Sequence, residues 1–439
     1  MTPSQRPPDD PVWRRALSAG NPVPHSAPGE EVRWGLDLPS TLVPAPEGLD
    51  QPFVFDPALI QFSNAFRAGD PRFSDEAAAR QWFLARRTAL DLVLGAVAST
   101  PLGSRLVLRG SVLMATWFGD AAREPGDLDY VAPDAWEFEG AEAQALFGQL
   151  AAAAQAAGEA GPANGVRIDG AGAVTEDIWT YDRVPGRRLL LPWTAPGTQG
   201  GTVQIDVVHH ELLAAPPALT RLRPLGAGPG TVVRAVTPEL SLAWKVMWLI
   251  GDMHPQGKDL YDAVLLAEAA PPSYELLRSA FVLAGDELLR PGGHWWLSEM
   301  RASADTGWEH FQAEYPHVTG SVDEYTARLW AVLEPLAARA ESEQRDEPGE
   351  YERWARWLAP LVEHVRATAP GAPVQAVARR MSQSGRWGFL AAVVVVREVG
   401  GRATVTLGEA RDAVLARTEH WAHLRTRPEL WPMLLEGLG

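Results

Sequence analysis

Between Arg105 and Val131 the chain reads RLVLRGSVLMATWFGDAAREPGDLDYV, and this stretch limits the available folds more than any other. Arg105 to Arg109 has the alternation and β-branched content of a short strand that stops at Gly110-Ser111. VLMATWF then has the apolar density of one or two helical turns, DAAREPG is a polar loop, and Asp127 to Val131 reads as a second strand. A strand, a glycine turn, a short helix and an acidic strand form one α+β unit. Side chains at i and i+2 of a strand share a face, so Asp127 and Asp129 aim two carboxylates at one spot. Like charges held that close are either solvated or bridged by a hard cation.

A third acid lies further on. RRLLLPW and GTVQIDVVHH are strand-like runs joined by residues 194 to 201, and they are expected to pair as a hairpin. In VQIDVV the neighbours Ile205 and Val207 face the core, which puts Asp206 on the opposite face with Gln204 and Val208. An unpaired charge in so apolar a strand is costly; taken alone Asp206 is an ordinary exposed strand acid, and its weight comes from the acids and the turn that precede it. The Gly110-Ser111 turn opens a helix, so its backbone N–H groups and the Ser111 hydroxyl form a cradle suited to phosphate.

The surrounding sequence gives the organisation. Residues 1 to 50 are rich in Pro, Gly and Ser without periodicity and read as an extended, partly disordered arm. A helix begins near Phe73 with Ser74 as the expected N-cap. Another Ala-rich helix covers Glu142 to Ala157. After Pro238 the period is helical throughout, first in ELSLAWKVMWLI and then in GKDLYDAVLLAEA. The expected domains are therefore an arm at 1–50, a catalytic core at 51–235, a helical domain at 236–340 and a helical extension at 341–439.

Composition removes several function classes. The absence of cysteine excludes disulfides, thiolate zinc sites and a cysteine nucleophile, which leaves oxygen ligands first for any metal. No apolar run approaches the ~18 residues of a membrane helix, and the N-terminus lacks the layout of a secretory signal, so the expected location is the cytoplasm. A net charge of −16 argues against broad, non-specific nucleic-acid binding. Lys245 and Lys258 are the two lysines of the chain, Arg supplying every other fixed cation.

LVLRGSVLMATW, REPGDLDYV, VQIDVV, TPELSLAWK and GKDLYDAVLL together resemble the polymerase-beta-like nucleotidyltransferase superfamily. Within it the chain is similar to the AbiEii/AbiGii toxins of bacterial type IV toxin-antitoxin systems, over roughly residues 73 to 270. The resemblance implies an α+β fold, with a small mixed sheet flanked by helices and a mostly helical C-terminal region. It implies Asp127, Asp129 and Asp206 as metal and catalytic acids, holding two Mg2+ (or Mn2+) ions about 3.5 to 4 Å apart. Gly110, Ser111, Arg123, Lys245, Lys258, Asp259 and Asp262 are the nucleotide-binding candidates it implies, with Lys245 also catalytic, because a compact ammonium suits a triphosphate. The implied reaction moves NMP from an NTP to an acceptor hydroxyl, a tRNA 3′ end being the first choice, with a cognate antitoxin as partner. Arg353, Arg356, Arg366, Arg379, Arg380, Arg386, Arg425 and Arg427 could give the acidic chain a local phosphate-binding face. The alternatives are transfer to a small molecule or a protein side chain, a D-x-D glycosyltransferase, and a non-catalytic binding protein on the same fold.

Overall fold

A computed structural model of the chain describes residues 11–133, 141–160, 164–180, 184–209, 211–226, 230–251, 255–285, 291, 307–346, 349–369, 371–381, 385–417, 421–427 and 438. The chain divides into two units, Met1–Glu211 with Pro217–Val236, and Leu212–Pro216 with Thr237–Gly439.

In the first unit α1 (Pro11–Ala16), α2 (Glu30–Gly35), β1 (Phe53–Phe55) and β2 (Phe66–Ala68) precede the long helix α3 (Glu76–Ser99). There follow β3 (Val107–Arg109), α4 (Ser111–Phe118), β4 (Asp127–Ala132), α5 (Ala141–Glu159), β5 (Arg167–Ile168), β6 (Val174–Thr180), β7 (Val184–Ala195), β8 (Thr198–His209), β9 (Ala218–Arg221) and β10 (Val232–Ala235). Apart from the β1–β2 ribbon, the strands form a mixed sheet in the order β5-β7-β8-β4-β3-β10-β9, with β6 also pairing with β7. β4 runs parallel to β8 and β10 parallel to β3, while the other pairs are antiparallel.

One face of this sheet is apolar for the reason the alternation gives. Leu128, Tyr130, Val203, Ile205 and Val207 are all buried, and α3 packs on β8 and α5. Trp82 of α3 lies 5.6 Å from Trp193 of β7 between ring centroids. Gly201 makes that contact possible, since a Cβ there would stand 2.9 Å from Trp193 and 3.0 Å from Trp82.

Two details differ from the sequence reading. The helix α3 is capped by Asp75 and not by Ser74. Asp75 has the extended backbone of an N-cap, and its carboxylate accepts from the N–H groups of Ala77 (3.0 Å) and Ala78 (3.3 Å). The segment from Pro11 to Leu49, expected as an extended arm, is packed around Trp13, Val23, Val32, Leu38 and Leu42 against Phe53. Turn hydrogen bonds satisfy backbone groups that a helix or strand would otherwise pair, and Trp13 Nε1 donates to the Ser26 carbonyl (3.0 Å). Its apolar residues are spaced by turns, so no period advertised them.

The second unit is helical. It begins with α6 (Pro238–Gly251), α7 (Gly257–Ala269) and α8 (Tyr274–Ala284), and continues with helices at Trp308–Glu314, Val322–Asp346, Glu350–Trp357, Ala359–Thr368, Pro373–Met381, Gly385–Gly400, Leu407–Arg417 and Ala422–Arg425. The molecule is thus α+β, with a sheet flanked by helices and a helical C-terminal region. Among the described residues no helix is long and apolar enough to cross a membrane.

Candidate active site

The pairing of four strands builds the site. Arg109 of β3 is opposite Asp129 of β4, Asp129 is opposite Asp206 of β8, and Asp206 is opposite Arg188 of β7. Cross-strand partners share a face, so two acids stand side by side in the sheet with an arginine at each end of the row. Asp127 lies one step along β4, aligned with Gln204. The half-buried Asp127 and Asp129 alternate with the buried Leu128 and Tyr130, as the D-x-D spacing requires.

Gly110 is fitted to this row. Its φ of 84° belongs to the left-handed region, and a Cβ there would lie 2.3 Å from Asp129 Oδ2. Glycine is therefore required both by the backbone and by the approach of the acid. Ser111 opens α4 beside it, and its Oγ donates to Asp127 Oδ1 at 3.4 Å. Leu113 and Met114 donate to the Gly110 carbonyl, and the N–H groups ahead of them at the start of α4 are the ones that a helix leaves for an anion or water. Arg123 is half-buried in the loop before β4.

Asp206 is not the exposed strand acid that it would be if read alone: it is buried and paired with Arg188. Its Nε and Nη2 donate to the two oxygens of Asp206 at 2.8 Å each, and its Nη1 donates to Asp56 Oδ2 at 2.7 Å. All three side chains are buried, with Arg188 only 2% exposed. Burial pushes the Asp206 carboxyl above its ordinary value against the pull of Arg188, and the negative charges of Asp56 and Asp127 add to the rise. Burial would raise Asp56 too, but Arg188, Arg67 and the Ala58 N–H outweigh it and hold Asp56 below the ordinary carboxylate value. At the other end of the row Arg109 pairs with buried Glu211 at 2.6 Å. Sequence reasoning missed Arg188 and Asp56; the signal available was the cost of a lone acid inside VQIDVV.

A divalent cation can be tested against this donor set. Asp127 and Asp129 offer hard carboxylate oxygens on one accessible face beside a glycine that leaves them room, and this fits. Asp206 adjoins them, but both its oxygens are bonded to Arg188. Among the described residues no group of three His, Cys, Asp or Glu side chains is gathered tightly enough to hold a metal ion.

In the second unit Lys245 of α6 forms a cluster with α7. It is buried, its Nζ lies 2.7 Å from Asp259 Oδ1 and 3.3 Å from Asp262 Oδ2, and it stands over the Trp248 ring. Asp259 and Asp262 thus share a helix face, as their i, i+3 spacing implies, and both serve the same ammonium. Lys258 is half-buried in the first turn of α7.

With this geometry described, comparison with known proteins decides the family. The profile of the nucleotidyl transferase AbiEii toxin family, type IV toxin-antitoxin system, matches residues 92–373, well over half of the chain. The chain belongs to the AbiEii family. It is accordingly a nucleotidyltransferase of the toxin type, and the match reaches beyond the segment 73–270 where the resemblance was read, into the helical region. Among solved structures the chain is similar to MenT4, a nucleotidyltransferase toxin from Mycobacterium tuberculosis, at 14% identity, with 60% of this chain and 99% of that one covered and a TM-score of 0.34. No curated protein matches the sequence.

Proposed function

We propose that this AbiEii-family enzyme transfers a nucleoside monophosphate from an NTP to the 3′-terminal hydroxyl of a tRNA, and so blocks translation until a cognate antitoxin restrains it. The observation that carries the reading is the row of acids Asp129 and Asp206, with Asp127 one step away, against the Gly110-Ser111 turn. A Mg2+ or Mn2+ ion held by Asp127 and Asp129, with Asp206 adjoining, would supply the positive charge that an NTP triphosphate needs during displacement. The chain's own groups do the rest. The Ser111 hydroxyl and the N–H groups opening α4 bind phosphate oxygens, with Gly110 allowing close approach. Asp206, the strand acid opposite Asp129, accepts the proton of the attacking hydroxyl. The oxygen then bonds to the α-phosphorus and pyrophosphate leaves. Arg123, Lys245, Lys258, Asp259 and Asp262 are the remaining nucleotide-side candidates; the two lysine-helix acids set the position and charge of Lys245 rather than meeting phosphate themselves.

Support for an RNA acceptor comes from the helical unit, where Arg278, Arg353 and Arg356 outnumber the one acid, Glu343, in a cleft that they line with the rings of Tyr274 and Trp357. Arginine beside aromatic faces suits a sugar-phosphate backbone. Arg353 also pairs with Glu350, and Arg366 donates to the Glu398 carbonyl. The side chains of Arg379, Arg380 and Arg386 lie outside the described residues.

The test is incubation of the purified protein with each labelled NTP in turn and bulk tRNA, with a parallel arm lacking RNA. Label is expected on tRNA, and Asp127→Ala and Asp206→Ala are each expected to remove it while the melting curve stays cooperative. Full transfer by either variant sinks the assignment of the acids. Label on the protein or on a small molecule without RNA would replace tRNA as acceptor.

A further inference from the structure

The Asp56–Arg188–Asp206 chain has more parts than a simple ion pair needs. One guanidinium serves two carboxylates, all buried, and one of those carboxylates is the strand acid beside Asp129. Asp56 is itself fixed: its Oδ1 accepts from the Ala58 N–H at 3.0 Å as cap of the turn Pro57–Leu59, and Arg67 stands 3.7 Å from its Oδ2. Gln204 also donates to Asp206 Oδ2 at 3.1 Å. The contacts of Asp206 named here are thus all with side chains, whereas Asp56 is anchored by a backbone N–H as well.

We infer that Asp56 and Arg188 are positioning residues acting as a charge relay for Asp206: Arg188 neutralises Asp206 until a divalent cation arrives, and Asp56 then retains Arg188 while Asp206 turns to the cation. The inference rests on the cation site proposed above at Asp127, Asp129 and Asp206. Its physical basis is the cost of leaving any of these buried charges uncompensated. Without a cation, Asp206 would stand unpaired next to Asp129 and Asp127. With one bound, Arg188 would lose two of its three acceptor contacts, and it would stay buried only because Nη1 already donates to Asp56. The relay needs no large movement, since the Asp56 contact is in place beforehand. Groups that orient metal ligands in this indirect way commonly alter metal affinity by about 10- to 100-fold when removed.

The relay is tested on the full chain by thermal melting and by Mn2+ titration, in EDTA and across Mn2+ concentrations, with wild type, Asp56→Asn, Asp56→Glu and Arg188→Gln. Asp56→Asn leaves Asp206 as the sole anionic partner of Arg188, so Mn2+ is expected to bind about tenfold more weakly, with Asp56→Glu restoring part of the loss. Arg188→Gln removes the competing cation, so the metal-free protein is expected to melt lower and Mn2+ to bind more tightly and raise the melting temperature by more than in wild type. A merely structural triad would lower the melting temperature of all variants by equal amounts with and without Mn2+, at unchanged affinity, and that result overturns the relay alone. A wild-type protein that shows no Mn2+ response at all, while Asp127→Ala behaves identically, overturns the cation site and the relay together. Should Arg188→Gln fail to fold, the affinity change between Asp56→Asn and Asp56→Glu decides the matter.

Discussion

At the scale of single residues the candidate site is a set of close approaches, and Gly110 is the most exacting. Any side chain there meets Asp129 at 2.3 Å and must adopt a φ of 84°. Gly110→Ala is expected to cost about 1–3 kcal/mol in strain. It is also expected to cut labelled-nucleotide transfer about a hundredfold by displacing Asp129. Gly126 is the control, because nothing lies within 4 Å of its Cβ position. Gly126→Ala is expected within about 0.5 kcal/mol of wild type in urea unfolding. The pH behaviour of Asp56 is a second residue-scale consequence. Its native pKa is depressed, so it contributes stability above the unfolded value of about 3.9, and that stability is lost as pH falls through the native pKa. Denaturant midpoints measured from pH 7 downward are expected to fall more steeply below pH 4 for wild type than for Asp56→Asn. Equal slopes would show that Asp56 does not titrate with its native partners.

At the scale of elements, what the sequence disclosed and what it hid have separate causes. The D-x-D strand, the Gly-Ser turn, the β7–β8 hairpin and the helices carrying Lys245 and Asp262 were legible because each depends on a local period or a local turn. The partner of Asp206 was not legible. RRLLLPW offers both Arg187 and Arg188, and which one faces Asp206 depends on the register of a 12-residue strand pair. Near the turn Ala195 is opposite Thr198, but from Trp193 onward the register has shifted by one residue, a bulge of β8 in which Gln199 and Gly200 oppose Thr194. Continuing the register of the turn would have set Arg187 against Asp206 and turned Arg188 to the other face. Gly200, where a Cβ would stand 2.4 Å from the Trp193 carbonyl oxygen, marks the place of the bulge but not the register that follows it. The cap of α3 is a smaller case of the same kind, since Ser74 and Asp75 are both cap residues by type and only the backbone angles choose. Asp75→Ala is expected to lower stability by about 0.5–2 kcal/mol and Ser74→Ala to change it by less than about 0.5. Chemical denaturation of the two single variants checks this, and the reverse ranking would move the cap back to Ser74.

At the scale of the whole molecule the question is how a chain of net charge −16 would handle the two phosphate-rich reactants proposed for it, an NTP and a tRNA. Its buried Arg188 and Lys245 do not help, since Arg188 holds Asp56 and Asp206, with Arg67 as a second cation 3.7 Å from Asp56, and Lys245 holds Asp259 and Asp262. A chain of net negative charge repels a bare polyanion and is better suited to a cation or a cationic complex. Attraction to a tRNA backbone must then come from few contacts, such as the cleft of Arg278, Arg353 and Arg356. Each phosphate neutralised on a single strand contributes about −0.7 to the slope of log affinity against log salt. Two to four contacts therefore give a slope of about −1.5 to −3. Fluorescence anisotropy of labelled tRNA between 50 and 300 mM salt, in Mg2+-free buffer, measures it. Arg353→Gln and Arg356→Gln together are expected to make the slope shallower by about 1.4, because two contacts are removed. A wild-type slope steeper than about −5 would place the RNA on a broad basic surface elsewhere, and an unchanged slope in the double variant would remove this cleft from RNA binding.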